Sequence, residues 1–140
     1  MKGNKMADVL KFMIPGKPEY VRTVRLAISS LAGSAGFDIE AVEDIMMAVS
    51  EACSNLVCHG VGARDASYEV SCEMLGDRIV IRIENSPDCC EENARAERRP
   101  VSFREGGIGL NIIKALMDEV DVLPVAGRGT RIEMIKYVGV

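Results

Sequence analysis

The chain has little of what several common kinds of site require. It has a single histidine, His59, and five cysteines without a Cys-x-x-Cys pair, which argues against a zinc site. Cys89 and Cys90 are neighbours, a strained spacing for an ordinary disulfide, so reduced thiols are expected. Cys58 and His59 would point about 100° apart on a helix, which disfavours a nucleophile pair.

An excess of positive charge and long apolar runs are also missing. The net charge is −4 at pH 7, and the basic residues do not line one face, so nothing favours nucleic-acid binding. The N-terminus holds no apolar segment as long as a signal peptide or a membrane span. We therefore expect a cytoplasmic protein that binds neither nucleic acid nor a membrane.

Hydrophobic periodicity predicts the element order β-α-α-β-β-loop-α-β-β. Hydrophobic residues make up 48% of the 140 residues, which fits one compact domain over 1–140. The predicted strands are 9–14, 67–75, 78–85, 120–125 and 130–138, and the predicted helices run from Glu19 to Gly36, from an Asp38 cap to Gly60, and from Ile108 to Glu119. Helices on one face of a mixed, mostly antiparallel sheet would bury all the apolar stripes, which predicts an α+β two-layer sandwich.

One helix carries a polar line on a single face. Glu51, Asn55 and His59 lie at i, i+4 and i+8, and each step rotates by only about 40°. Asp44 and Ala48 extend the same line backwards. Polar residues at this spacing usually form a solvated face, but asparagine is a poor residue inside a helix, so some interaction should compensate for it.

A glycine cluster opens the helix predicted from Ile108. Gly106, Gly107 and Gly109 lie at its start, where free N–H groups favour anions and glycine lets a backbone approach phosphate closely. The alternative is a flexible loop that ends against a helix, which needs one glycine and not three. The polar line and the glycine cluster together predict a nucleotide site.

These segments resemble the GHKL superfamily of ATP-binding domains (the Bergerat fold), and within it the small bacterial anti-sigma factor serine kinases. The resemblance covers nearly the whole chain in order, and its middle segment is specific. The matching segments are 14–20 (IPGKPEY), 48–55 (AVSEACSN), 106–110 (GGIGL), 116–120 (LMDEV) and 129–130 (GT).

The resemblance implies an ATP-dependent serine kinase that uses Mg²⁺. Glu51 would accept the proton of the attacking serine hydroxyl, and Asn55 would coordinate the metal through its side-chain oxygen. Thr130 would help to hold the adenine, and the segment 86–105 would be the nucleotide lid. The other implied nucleotide contacts are His59, Asn85, Arg104, Gly106, Gly107, Ile108, Gly109 and Leu110.

The resemblance also implies protein partners. A kinase of this family binds a sigma factor and phosphorylates a serine of an antagonist protein, and unphosphorylated antagonist frees the sigma factor. Such proteins are usually homodimers, so we expect a homodimer here.

The sequence departs from the family at the end of the strand predicted over 78–85. The family carries Asp-x-Gly there, and its aspartate accepts a hydrogen bond from the adenine amino group. Here the triplet is Asn85-Ser86-Pro87, and strand alternation directs Glu84 to the other face. A neutral acceptor would cost about 1 kcal/mol, or roughly tenfold in ATP affinity. Pro87 fixes φ and removes a donor, so the lid hinge would change shape.

Three functions are therefore weighed. The first is the serine kinase and anti-sigma factor, which Glu51, Asn55 and the glycines favour. The second is a catalytically weak or inactive nucleotide-binding partner-switching module with the same fold, which Asn85 and Pro87 favour. The third, the catalytic domain of a histidine kinase, is disfavoured because the chain has no room for a phosphoacceptor helical domain.

Overall fold

A computed structural model describes residues 8–59, 67–85, 108–125 and 129–139. Within these ranges the predicted order of elements is confirmed, and most boundaries agree to within two residues. The segment 86–107, which holds the predicted lid, lies outside the described residues. The elements are β1 (Asp8–Pro15), α1 (Glu19–Ser34), α2 (Ile39–His59), β2 (Ser67–Leu75), β3 (Arg78–Asn85), α3 (Ile108–Leu116), β4 (Glu119–Val125) and β5 (Gly129–Tyr137).

The five strands form one sheet in the order β1-β2-β3-β5-β4, and all four described pairings are antiparallel. β2 and β3 form the predicted hairpin through Gly76 and Asp77. Pro124 lies in the edge strand β4, where its missing N–H costs no ladder bond to a further strand. The predicted α+β class is thus confirmed.

The core lies between the three helices and one face of this sheet. Strand alternation directs Ile79, Ile81 and Ile83 of β3 and Ile132 and Met134 of β5 to that face, and all five are fully buried. Burial of such side chains stabilises the fold by roughly 1.5–3 kcal/mol each. Among the described elements, the other face of the sheet carries no helix.

A tight junction sets the direction of α2 after α1. Gly36 adopts a positive φ of 103°, which favours glycine. Its N–H donates to the carbonyl of Gly33, and the N–H of Phe37 donates to the carbonyl of Ala32, as in a Schellman motif. Asp38 then caps α2, because its Oδ1 accepts from the N–H of Ala41 at 2.8 Å. Both the glycine stop and the aspartate cap were predicted.

The buried surface of α2 is wider than its predicted apolar stripe. Ile45, Val49 and Cys53 are fully buried as predicted, but Ala48 and Ala52 are fully buried as well. Since Ala48 belongs to the line that contains Glu51 and Asn55, this line borders the interior. It is not simply a solvated face.

The helix-free face of the sheet carries ion pairs between neighbouring strands. Arg82 lies between Glu73 and Glu133, and Arg131 pairs with Glu84. Partial burial opposes the charge of Arg82, but hydrogen bonds and charge from the two glutamates outweigh it and raise its pKa. Glu84 therefore lies on the face that alternation predicted, away from the helices.

Two cysteines in the described ranges, Cys53 and Cys72, are buried thiols. Burial raises the pKa of the Cys72 thiol to about 12, so it stays protonated and unreactive near neutral pH. None of the helices in the described part of the chain is both long and apolar enough to cross a bilayer.

Candidate functional site

The polar line on α2 has a fixed geometry at Glu51 and Asn55. Both side chains are half-buried, and the Asn55 amide nitrogen donates to the backbone carbonyl of Glu51 at 2.9 Å. This hydrogen bond offsets the low helix propensity of asparagine, as the sequence predicted. It also directs the Asn55 amide so that its nitrogen faces the backbone and its oxygen is turned away from that bond.

The first turn of α3 packs directly against these two side chains. A Cβ placed on Gly109 would lie 2.8 Å from the Asn55 amide nitrogen and 3.0 Å from Glu51 Oε2. Ordinary contacts begin near 3.4 Å, so no larger residue fits without displacing one of them. Gly109 does not have a positive φ. It is therefore required for close approach, and the polar line and the glycine segment meet in space.

This arrangement combines complementary groups at one helix terminus. The N-terminal N–H groups of a helix such as α3 attract anions, and Leu110 is half-buried in the same turn. A carboxylate and an amide oxygen beside such a terminus offer a proton acceptor and an oxygen ligand for a hard cation. The groups suit the handling of phosphate together with a metal ion.

The ends of two sheet strands carry Thr130 and Asn85, the residues predicted to meet the adenine. The register that pairs Glu84 with Arg131 brings the end of β3 beside the start of β5. Thr130 is only 1% exposed and shares the helix-facing side of β5 with Ile132. Asn85 closes β3, with its backbone opposite Tyr68. Glu84, the neighbouring acid, is engaged by Arg131 and cannot take the place of the missing aspartate.

Several predicted site residues lie wholly or partly outside the described structure. Arg104, Gly106 and Gly107 are outside it, as are Ser86 and Pro87. His59 ends α2 and Ile108 begins α3, but only their backbones are described. Their predicted roles stay predictions.

One arginine beside the site was not anticipated. Arg25 of α1 reaches across to α2, where its Nη1 lies 3.4 Å from Ser50 Oγ, and Ser50 immediately precedes Glu51. A single arginine on an amphipathic helix gives no signal in the sequence that distinguishes it from an exposed one.

A cavity of about 560 Å³ lies elsewhere, where the N-terminus of α2 meets the end of β5. Its two carboxylates already have structural partners, since Asp38 caps α2 and Asp118 accepts from the N–H of Tyr137 at 2.7 Å. We assign it no ligand.

Comparison with known proteins identifies the family of this fold. Residues 14–136 match the histidine kinase-like ATPase domain family. The serine-protein kinase RsbW of Listeria innocua is 35% identical over 95% of this chain and 89% of its own length. The serine-protein kinase RsbW of Bacillus licheniformis is 34% identical over 96% of this chain and 88% of its own length.

A solved structure is similar in fold. The crystal structure of the RsbU and RsbW domains of a Mycobacterium tuberculosis protein superposes with a TM-score of 0.65 at 20% identity. The match covers 92% of this chain and 32% of that one. The resemblance stated from the sequence is thereby confirmed, and the chain belongs to the histidine kinase-like ATPase domain family.

Proposed function

We propose that this chain is a protein serine kinase that uses ATP and Mg²⁺, phosphorylates an antagonist protein and binds a sigma factor. The observation that carries the proposal is the contact of Gly109 with Glu51 and Asn55. It joins a phosphate-binding turn to a proton acceptor and a metal ligand. The names of its relatives, serine-protein kinases, support the same reaction class.

In this proposal each residue has a defined task. Glu51 accepts the proton of the serine hydroxyl, which raises the nucleophilicity of its oxygen toward the terminal phosphate of ATP. The turn at Gly109 brings the α3 terminus against Glu51 and Asn55, where its N–H groups would meet the phosphates. Phosphoryl transfer needs positioning more than covalent chemistry, so the close contact between α2 and α3 suits it.

The described residues fit Mg²⁺ through a single protein ligand, not through a cluster of ligands. No cluster of three or more histidine, cysteine or acidic side chains is arranged for a metal within the described ranges. Mg²⁺ usually takes one or two protein ligands and completes its shell with phosphates and water. Asn55, with its amide nitrogen already bound to Glu51 and its oxygen directed away, fits such a single ligand. When bound, the metal would offset charge on the phosphates.

The adenine end of the proposed site involves Thr130 and Asn85, with the lid over 86–105. Support comes from the burial of Thr130 and from the register that sets it beside the end of β3. His59, Arg104, Gly106, Gly107, Ile108 and Leu110 are further proposed nucleotide contacts.

Base selectivity follows from Asn85. We expect ATP and GTP to bind with comparable affinities, because an asparagine amide can turn either its oxygen to an adenine amino group or its nitrogen to a guanine carbonyl. The reciprocal variant Asn85→Asp should bind ATP roughly tenfold more tightly and GTP more weakly. Isothermal calorimetry with both nucleotides measures this; nanomolar ATP affinity with strong rejection of GTP by the unmodified chain would contradict it.

The proposed partners are a sigma factor and an antagonist protein, and a second copy of the chain. A cytoplasmic location belongs to this proposal, since sigma factors act there. The helix-free sheet face supports a homodimer, because exposed apolar side chains of Val9, Met13 and Leu123, 50%, 51% and 42% exposed, border its charged pairs.

For the homodimer, sedimentation equilibrium should give twice the 15.2 kDa mass of the chain. Met13→Lys should shift the mass toward the monomer, because it buries a charge in the proposed interface. Leu26 is equally exposed but lies on α1, so Leu26→Lys is the matched control and should leave the mass unchanged. A monomeric wild type at all concentrations up to 100-fold above those of the activity assay would reject the homodimer.

The second candidate function is a nucleotide-binding partner-switching module without efficient transfer, which Asn85-Ser86-Pro87 favours. One experiment separates the two. The chain is incubated with γ-labelled ATP, Mg²⁺ and candidate antagonist proteins, and the labelled residue is mapped. Transfer to serine supports the kinase; nucleotide binding without any transfer supports the module.

A further inference from the structure

The polar line on α2 has a second contact, far from the proposed reaction centre. Asp44, at the early end of the line, lies eleven residues before Asn55, which is about 16 Å along the helix axis. Its Oδ2 lies 3.9 Å from the Nζ of Lys136 on β5, near the limit of an ion pair. The proposed reaction gives this acid no task, so its role lies in the contact with Lys136.

Lys136 joins three elements of the fold. Its side chain lies on the helix-facing side of β5, in the same alternation as Ile132 and Met134, and only 16% of it is exposed. The apolar stem therefore packs on the core while the ammonium reaches the helices. Nζ donates to the backbone carbonyl of Leu116, the last residue of α3, at 2.6 Å. A single ammonium on the sheet thus contacts both α3 and α2.

The hydrogen bond to Leu116 satisfies a group that the helix itself leaves unpaired. The last four carbonyls of an α-helix have no partner within the helix, and a cation near them also interacts favourably with the helix dipole. Such a charge-assisted bond is about twice as strong as a neutral one. Asp118 fixes the same end, since its N–H donates to the carbonyl of Ile135 at 2.9 Å. The C-terminal end of α3 is therefore anchored to β5.

The opposite end of α3 meets the proposed reaction centre. Gly109, in the first turn, packs against Asn55, and Leu116 lies seven residues later, about 10 Å along the axis. α3 therefore runs antiparallel to α2, with its start at Asn55 and its end connected through the ammonium to Asp44. Ala48 lies between these two residues on the line and is fully buried. The polar line thus holds α3 at both ends.

A helix as short as α3 depends on such contacts for its orientation. It has nine residues, and helices of this length are marginal without tertiary packing. A movement of its C-terminal end is transmitted through the hydrogen-bonded backbone to its first turn. The spacing there is narrow, because an added Cβ on Gly109 would lie 2.8 Å from the Asn55 amide nitrogen. Loss of the anchor at Lys136 should therefore change the geometry at the other end.

We propose that Lys136 is a positioning residue, which holds the first turn of α3 at the spacing from α2 that nucleotide binding requires. The inference rests on the nucleotide binding of the proposed function and adds to it a residue that does not touch the nucleotide. Lys136 is opposite Ile79 at the start of β3, whereas Asn85 and Thr130 lie toward the other end of the paired strands. Its effect on the site is therefore exerted through α3.

The test is calorimetric titration of Lys136→Met with ATP and Mg²⁺, at a temperature at which circular dichroism shows the variant to be folded. Methionine keeps an unbranched apolar stem but removes the charge and the donor. We expect the Kd of ATP·Mg²⁺ to rise at least about threefold, because the phosphate-binding turn is misplaced. Lys136→Arg should restore binding, since it keeps both the charge and the donors, and Asp44→Asn should weaken binding less, because its ion pair is long.

Lys114→Met is the matched control. Lys114 is an exposed lysine in the last turn of the same helix, so its replacement removes the same charge near the same end of α3. It should bind ATP·Mg²⁺ as the wild type does. Hydrogen exchange of the nucleotide-free protein gives an independent readout: the backbone amides of 110–116 should exchange faster in Lys136→Met and at the wild-type rate in Lys114→Met.

Combination with Gly109→Ala separates positioning from simple stabilisation. In the wild type the added methyl is forced against Asn55, whereas a loosened α3 can move away from it. The Kd of the double variant should therefore rise by less than the product of the two single increases. Increases that multiply would mean that Lys136 does not act through this contact, and would overturn the inference.

Other outcomes also decide the matter. A rise in Kd below about threefold in Lys136→Met overturns the inference, including the case in which only the melting temperature falls. An equal rise in Lys114→Met overturns it too, by assigning the effect to the lost charge. Should Lys136→Met not fold, Asp44→Asn decides, and a Kd equal to that of the wild type overturns the inference.

The failure of the proposed function is recognisable separately. If the wild type itself binds no ATP, the proposed function fails and this inference fails with it. If the wild type binds ATP and Lys136→Met retains its Kd, only the inference fails.

Discussion

Glu51→Gln is expected to slow phosphoryl transfer to the serine of the antagonist by about 10²- to 10⁴-fold, the usual contribution of a general base. Glutamine has nearly the same shape as glutamate, so the contact with Gly109 should persist. It cannot accept the proton of the hydroxyl as a carboxylate does. We therefore expect kcat to fall while the calorimetric Kd of ATP·Mg²⁺ changes by less than about threefold.

Glu43→Gln provides the matched control for this experiment. Glu43 is an exposed glutamate two turns earlier on the same helix, so its replacement removes the same charge without touching the site. It should leave kcat and KM at the values of the wild type. Transfer that survives Glu51→Gln at more than a tenth of the normal rate would remove Glu51 from its assigned role.

Gly109→Ala is expected to weaken ATP·Mg²⁺ binding by about tenfold or more. The added methyl would lie 2.8 Å from the Asn55 amide nitrogen and 3.0 Å from Glu51 Oε2, and the Asn55 amide is already held by its bond to the Glu51 carbonyl. Since both contacted atoms are the ends of side chains, the methyl should displace them from the positions proposed for the metal and the nucleotide, and each 1.4 kcal/mol of lost binding free energy is a factor of about ten in affinity. Calorimetry with ATP and Mg²⁺ measures the effect.

Gly109→Ala should reduce nucleotide binding without a large loss of folding stability. Alanine is a better helix former than glycine by up to about 1 kcal/mol, so the melting temperature should fall little or even rise. Gly33→Ala is the matched control, because Gly33 lies in α1 with nothing within 4 Å of an added Cβ. It should raise the melting temperature and leave nucleotide binding unchanged. Normal ATP affinity in Gly109→Ala would mean that the α2–α3 contact is not part of the nucleotide site.

Much of the local structure could be predicted because local chemistry determines it. The hairpin at Gly76 and Asp77, the stop at Gly36 and the cap at Asp38 each depend on residues within a few positions of one another. Alternation along β3 correctly assigned Ile81 to the core and Glu84 to the opposite face. These features follow from period and turn chemistry.

Features that depend on distant contacts were harder to predict. Gly109 lies more than fifty residues from Asn55, so no local pattern encodes their contact; the complementary chemistry of the two segments and the family resemblance suggested that they meet. The burial of Ala48 depends on the packing of neighbouring elements against α2, which periodicity on one helix does not reveal. The contact between Arg25 and Ser50 depends on the register of two helices, and no local pattern encodes it.

The ion pairs on the helix-free face have a consequence for how β3 and β5 align. The apolar alternation of these strands is unchanged by a shift of two residues, so hydrophobic burial alone tolerates such a slip. A slip in one direction would set Glu84 against Glu133, and a slip in the other would set Arg82 against Arg131. Like charges directly opposite each other repel, so these ion pairs favour the observed register over either slip. Because the register of β5 fixes the position of Thr130, the ion pairs on the helix-free face help to determine which residues lie on the helix-facing side.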